Sequence, residues 1–220
     1  TLSSPVAQSA QLQVCDELRH AQRSLEWSDE LAARPPAAEA DDSPPAAEAD
    51  ARPPAAEADD SDTDGGTDLA KATWMDDPAF QPLRRAVELA LTISDWGEVI
   101  VAVDLVLEGL LQPFQRELLA AAGRAERDMA TAMLGRHCWI DEERHLGWSE
   151  AFLRLALESE PANRDAVQAW CDVHTGAAVA ALDALAGGYP FGGAAEAAAA
   201  VARTELGKRL EGLGLEWRQP

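Results

Sequence analysis

Glu17-Leu-Arg-His20 and Glu142-Glu-Arg-His145 each place a carboxylate and an imidazole three positions apart. Three helical residues turn through about 300°, so each pair lies roughly 60° apart on one helix face and can converge on one metal ion. The flanking residues repeat too. Asp16 and Arg19 match Asp141 and Arg144, giving Asp-Glu-x-Arg-His twice. Two such pairs are half the ligand set of a bundle di-iron centre, which takes one further carboxylate from each of two other helices. Asp16 and Asp141 are placed to accept the remaining ring N–H of the histidine on the facing helix, with Arg19 and Arg144 pairing those aspartates.

These residues need helices to position them, and the pattern outside residues 34–70 is helical almost throughout. From Ala7 to Leu31, the residues Leu12, Val14, Cys15, Leu18, Ala21 and Leu25 fall near helical spacing. Pro82 fits the first turn of a second helix, and Ser94-Asp95 marks a kink or restart. Trp96 to Ala122 is apolar on nearly all faces, as a central helix would be. Gly123 is expected to make a turn, followed by helices over about Ala125–Leu157, Pro161–Leu185 and Ala194–Leu213, with the Gly187–Gly193 stretch as a break. No segment alternates like a strand, so the expected fold is an all-α bundle. Its organisation divides into a first helical part (1–33), a low-complexity linker (34–70), the main helical domain (71–186) and a C-terminal Gly-rich turn with an Ala-rich helix (187–220).

The linker carries Pro-Pro-Ala-Ala-Glu-Ala-Asp three times, from Pro35, Pro44 and Pro53. It has almost nothing apolar to offset an ordering cost of about 1–2 kcal/mol per residue, so it is expected to be a solvated, disordered acidic insert. The whole chain has 220 residues, 47% hydrophobic, with a net charge of -21. That balance excludes nucleic acid as a partner, which needs a basic stripe. Apolar runs such as Val99–Val103 are far too short to span a bilayer. Cys15, Cys138 and Cys171 lack metal-type spacing and fit small buried residues kept reduced in a cytoplasm. His137 and His174 have no carboxylate at ligand spacing and are expected on a helix surface or in local hydrogen bonds. Trp74, Trp96, Trp139, Trp148 and Trp170 fit core or interface anchors.

Glu108 is the candidate for a third carboxylate. If the chain reverses near Gly123 to Ala125, Glu108 lies about 17 residues before the turn and Glu142 about 17 after it, at equal height in the bundle. Glu98 is displaced from that level by roughly 15 Å. The candidate metal ligands are therefore Glu17, His20, Glu108, Glu142 and His145. A fourth carboxylate should precede Glu17 by a helical hairpin, and the sixteen residues there leave no room for it. A chain that begins at Thr1 is expected to have a processed or incomplete N-terminus.

The stretch ending Cys15-Asp-Glu-Leu-Arg-His20-Ala-Gln-Arg-Ser-Leu25 resembles a helix of the bacterial multicomponent monooxygenase hydroxylases that act on toluene, phenol, alkenes, propane and methane. Trp74-Met-Asp-Asp-Pro-Ala-Phe-Gln-Pro-Leu-Arg-Arg85, Ser94-Asp-Trp-Gly-Glu98, Asp141-Glu-Glu-Arg-His-Leu-Gly-Trp-Ser149 and Pro161-Ala-Asn-Arg164 resemble their small, or beta, subunit. The resemblance implies a ferritin-like fold and a cytoplasmic hetero-oligomer with a large subunit and often a third, served by a reductase and a regulatory protein. It also implies that oxygen activation takes place at a di-iron centre in the large subunit, the small one being mainly its structural partner without catalysis of its own. This sequence departs from that pattern by keeping both Glu-x-x-His units. The departure leaves two readings of them, ligands or a hydrogen-bonded relic, and leaves a free-standing ferritin-like di-iron protein (oxidase, ferroxidase or iron store) as the alternative. The hydrocarbon substrate is not legible in the sequence.

Overall fold

A computed structural model describes residues 4–32, 71–189 and 193–218. The acidic repeat expected to be a disordered linker lies outside the described residues. The described chain is all-α, as expected. Helix α1 is Ser4–Ala32, α2 is Gln81–Leu91, α4 is Met129–Ser159, α5 is Asn163–Gly188 and α6 is Gly193–Gly212. Helix α3 is one continuous rod of three segments: Trp96–Val99, a π-helical stretch Ile100–Leu107, and Glu108–Ala125. No helix among the described residues is long and apolar enough to cross a membrane.

Local signals explain the boundaries. Proline stands in the first turn of α2, where its missing N–H costs nothing. The Asp95 carboxylate accepts the Gly97 N–H at 2.8 Å and starts α3. Asp128 caps α4 by accepting from the Ala130 and Thr131 amides at 3.0 and 3.3 Å. That last cap moves one boundary. Helix α3 runs through Gly123 to Ala125, and the reversal falls at Arg127, whose φ of 56° is left-handed. Gly123 is thus a packing residue and not the turn. A Cβ there would stand 2.6 Å from the Asp128 carbonyl oxygen and 2.9 Å from the Ala132 Cβ.

Helix α3 is the axis of the core. All residues of its π segment except Val103 are buried, including Asp104, and its later turns pack between α4 and α6 while α2 lies on α5. Leu105, Leu110, Leu146, Leu182, Leu206 and Leu210 are each below 2% exposed. Each such leucine contributes about 1.5–3 kcal/mol of burial. The Ala-rich face of α6 (Ala195, Ala198, Ala199, Ala202) lets that helix approach closely, with Leu206 against Gly109. Helix α1 differs. Its nearest helix by backbone is α4, and Val14, Leu18 and Leu25 are 58–67% exposed.

Two expectations need correction. Cys171 is buried, but Cys15 is exposed and Cys138 only half-buried, because the inner face of α1 is given to polar side chains. His174 is neither on a surface nor locally bonded. It is 5% exposed and its Nε2 pairs with Glu98 on α3 at 2.9 Å.

The two kinds of helical glycine separate in a stability test. Gly123→Ala is expected to lower unfolding free energy by about 1–3 kcal/mol through overpacking. Gly147, with nothing within 4 Å of a built Cβ, is expected to gain about 0.5–1 kcal/mol as alanine. Urea denaturation followed by circular dichroism measures both, and equal effects at the two sites would contradict the packing account.

Candidate metal centre

Helices α1 and α4 run antiparallel, so the two Glu-x-x-His units meet head to tail. His20 presents Nδ1 to a Glu142 oxygen at 3.2 Å, and His145 presents Nδ1 to a Glu17 oxygen at 3.2 Å. Within each unit the same nitrogens lie 3.8 Å (His20–Glu17) and 3.5 Å (His145–Glu142) from their own glutamates. Each glutamate therefore spans both histidines, and a pseudo-two-fold axis relates the halves. The outer nitrogens obey the same symmetry. His20 Nε2 faces Asp141 at 3.1 Å and His145 Nε2 faces Asp16 at 3.0 Å. Arg19 donates to Asp16 and Asp141, both at 2.6 Å, and Arg144 donates to the same two aspartates. Donation of each Nε2–H to an aspartate leaves Nδ1 as an inward lone pair, the form a metal binds.

Helix α3 adds Glu108 from the end of its π segment. Ligand atoms of Glu17, His20 and Glu142 form one group within 4.8 Å, and those of Glu108, Glu142 and His145 form a second. Glu142 is common to both. Five atoms in this cluster are buried without a hydrogen-bond partner: Glu17 Oε1, Glu108 Oε2, both oxygens of Glu142, and His145 Nδ1. Four of them face one another or a histidine ring nitrogen at 3.2–3.5 Å without a well-aligned hydrogen bond, and Glu108 Oε2 has no such neighbour; divalent cations would satisfy this convergent set. Carboxylate oxygens with imidazole nitrogens suit iron, manganese or zinc. The residues present fit a dinuclear metal group.

A family model described as methane/phenol/alkene hydroxylase matches residues 55–160. The oxygenase component DmpL of phenol 2-monooxygenase from Pseudomonas sp. (strain CF600) is 38% identical over 166 residues, covering 71% of this chain and 47% of that protein. The hydroxylase component subunit beta of the toluene-4-monooxygenase system of Ectopseudomonas mendocina is 32% identical over 104 residues, 45% of this chain and 30% of that one. The crystal structure of xenon-pressurised phenol hydroxylase from Pseudomonas sp. OX1 superposes with a TM-score of 0.61 and 28% identity, covering 73% of this chain and 48% of that chain. The chain belongs to the methane/phenol/alkene hydroxylase family. It spans about half the length of the phenol 2-monooxygenase component it matches.

The structure brings all five sequence-predicted residues of this hydroxylase-family chain into one cluster, and it separates Glu98, which is engaged with His174. Sequence reasoning missed two members of the surroundings. Asp104, 7% exposed, lies four residues before Glu108 in the same apolar run, a signal that was available. Gln13, four before Glu17, donates through Nε2 to Asp104 at 2.8 Å and to Glu108 at 2.9 Å, and accepts from Trp148 Nε1 at 3.1 Å.

Electrostatics reflect the crowding of carboxylates. Burial, reinforced by the charges of Asp104, Glu142 and Glu17, pushes the Glu108 carboxyl up to about 9. Burial also raises Asp104 to about 6, with the Gln13 bond working the other way. At His145 burial opposes charge, but Glu142, Glu17 and Asp16 outweigh it and push the ring up to about 10. Asp141 is held at about 2: burial is overcome by the bonds from His20 and Arg19. Asp16 is lowered in the same way, burial yielding to His145 and Arg144.

These directions set the pH behaviour. Folded His145 keeps its proton to about 10 against an ordinary 6.5, and Glu108 to about 9 against 4.5. Between pH 6.5 and 9 the metal-free folded chain thus binds more protons than the unfolded one, and its stability falls as pH rises. A divalent cation displaces those protons, so its affinity should climb with pH, by up to about tenfold per unit for each proton displaced. Zinc titration and urea midpoints at pH 6.5 and 9 measure both trends. A metal affinity flat across that range would contradict the protonated cluster.

Proposed function

We propose that this chain acts as the small, or beta, subunit of a di-iron multicomponent monooxygenase hydroxylase that oxygenates an aromatic, alkene or alkane hydrocarbon. Its main role is as structural partner of a large catalytic subunit, and its own twin Glu-x-x-His cluster is a second dinuclear metal site. Two relatives support the subunit assignment: the beta subunit of the toluene-4-monooxygenase hydroxylase and the small subunit of propane 2-monooxygenase from Mycolicibacterium goodii, 31% identical over 103 residues. The single observation that carries metal binding is the set of five buried ligand atoms that converge without a hydrogen bond to satisfy them.

In this reading Glu17, His20 and Glu142 would hold one ion and Glu108, Glu142 and His145 the other. Iron held there would supply redox chemistry with dioxygen. The chain's part is to aim Nδ1 of each histidine through Asp16 and Asp141 and to balance those aspartates with Arg19 and Arg144. Assembly is supported by the apolar face of α1. Val14 and Leu18 line a cleft of about 650 Å³ with Trp96, Val99, Val103 and Trp148. Exposed apolar surface of this kind is what a partner subunit buries. Reductase and regulatory proteins follow as the further components of such a system.

A free-standing di-iron oxidase, ferroxidase or iron store is the second reading, favoured by both Glu-x-x-His units being intact. Iron per chain, measured by elemental analysis with and without a co-expressed large subunit, separates them. We expect about two irons on this chain, reduced below one by Glu142→Ala, together with stable association with the large subunit. Iron and ferroxidase turnover without any association would favour the second reading. An iron-free chain within an iron-loaded complex would leave a scaffold alone.

A further inference from the structure

We propose that Gln13 is a positioning residue for the second ion, holding Glu108 as a one-oxygen ligand. The inference rests on the metal-binding reading above. Gln13 is 9% exposed and is engaged at both ends of its amide. An indole N–H can only donate, so the Trp148 Nε1 contact at 3.1 Å assigns the amide oxygen to the Trp148 side and turns the NH2 toward α3. Its two hydrogens are then committed, one to Asp104 Oδ1 at 2.8 Å and one to Glu108 Oε1 at 2.9 Å.

The consequence falls on Glu108. With Oε1 held by Gln13, Oε2 remains buried and unpartnered, and is the oxygen left for the ion shared with Glu142 and His145. Asp104 sits one turn away with its Oδ1 on the same amide, and among the described residues its oxygens join neither group of convergent ligand atoms. A neutral donor at position 13 lets two buried carboxylates stand side by side without a third negative charge. It joins α1, α3 and α4 at one point, since Gln13, Glu108 and Trp148 come from the three helices.

The test uses the full chain titrated with cobalt(II), whose visible ligand-field bands report coordination and whose two binding steps can be counted. Wild type is expected to take about two ions. Gln13→Leu should weaken the second step by about 10–100-fold, the usual consequence of losing a residue that orients a ligand, and change its visible spectrum, with the first step near wild type. Trp148→Phe leaves the amide in place but removes the bond that orients it. It should shift the same step in the same direction by less, and it carries the test if Gln13→Leu does not fold. Wild-type affinities and spectra in the folded variants would overturn the role of Gln13 while the metal reading stands. Failure of the wild type to bind cobalt would overturn the metal reading and this inference with it.

Discussion

The crossed pairing of His20 with Asp141 and of His145 with Asp16 is the contact on which the site depends. Each bond joins α1 to α4, so two helices are registered by the same four side chains that aim the imidazoles. The arginines complete it: Arg19 and Arg144 each span both aspartates, so four charges of alternating sign cap the outside of the cluster. Removing one member would leave a buried partner uncompensated, which costs far more than the net value of an exposed pair. Helix α1 has little else to hold it, because its large apolar residues face outward.

The inner side is built on the opposite terms. Helix α3 is surrounded by leucine, valine and alanine, and its π segment carries Asp104 into that environment and ends at Glu108. π segments are wider than α turns, hold an irregular backbone in place only where packing enforces it, and recur at functional sites. Here the packing is the core itself. Carboxylates in such surroundings keep their protons or find cations, and the raised values of Glu108 and Asp104 express that choice. The site is therefore metal-shaped for an energetic reason as well as a geometric one.

Glu108 breaks the two-fold symmetry. The His145 half gains it as an added carboxylate, while the His20 half holds only Glu17, His20 and Glu142. Glu17 and Glu108, one from each half, both border the cleft lined by Val14, Leu18 and Val99. An assembly that covers that cleft would also dry the cluster, strengthening every charge interaction within it.

The helices, their order and the two Glu-x-x-His units were legible in the sequence because they are local: a 3.6-residue apolar period, Asp and Pro at helix starts, and a carboxylate three residues before a histidine; Glu108 came instead from matching heights across the chain reversal. The repeat of Asp and Arg around both motifs also announced the crossed pairing, since both copies need the same partners. What the sequence did not disclose depends on distance across the fold. Gly123 reads as a turn until Asp128 and Ala132 are seen to press on it. Glu98 and His174 read as unrelated until α3 and α5 bring them to 2.9 Å. Gln13 reads as one more polar residue on α1. Only the meeting of three helices gives its amide two carboxylates and an indole, because hydrogen-bond partners far apart in the chain are chosen by packing and by no local rule.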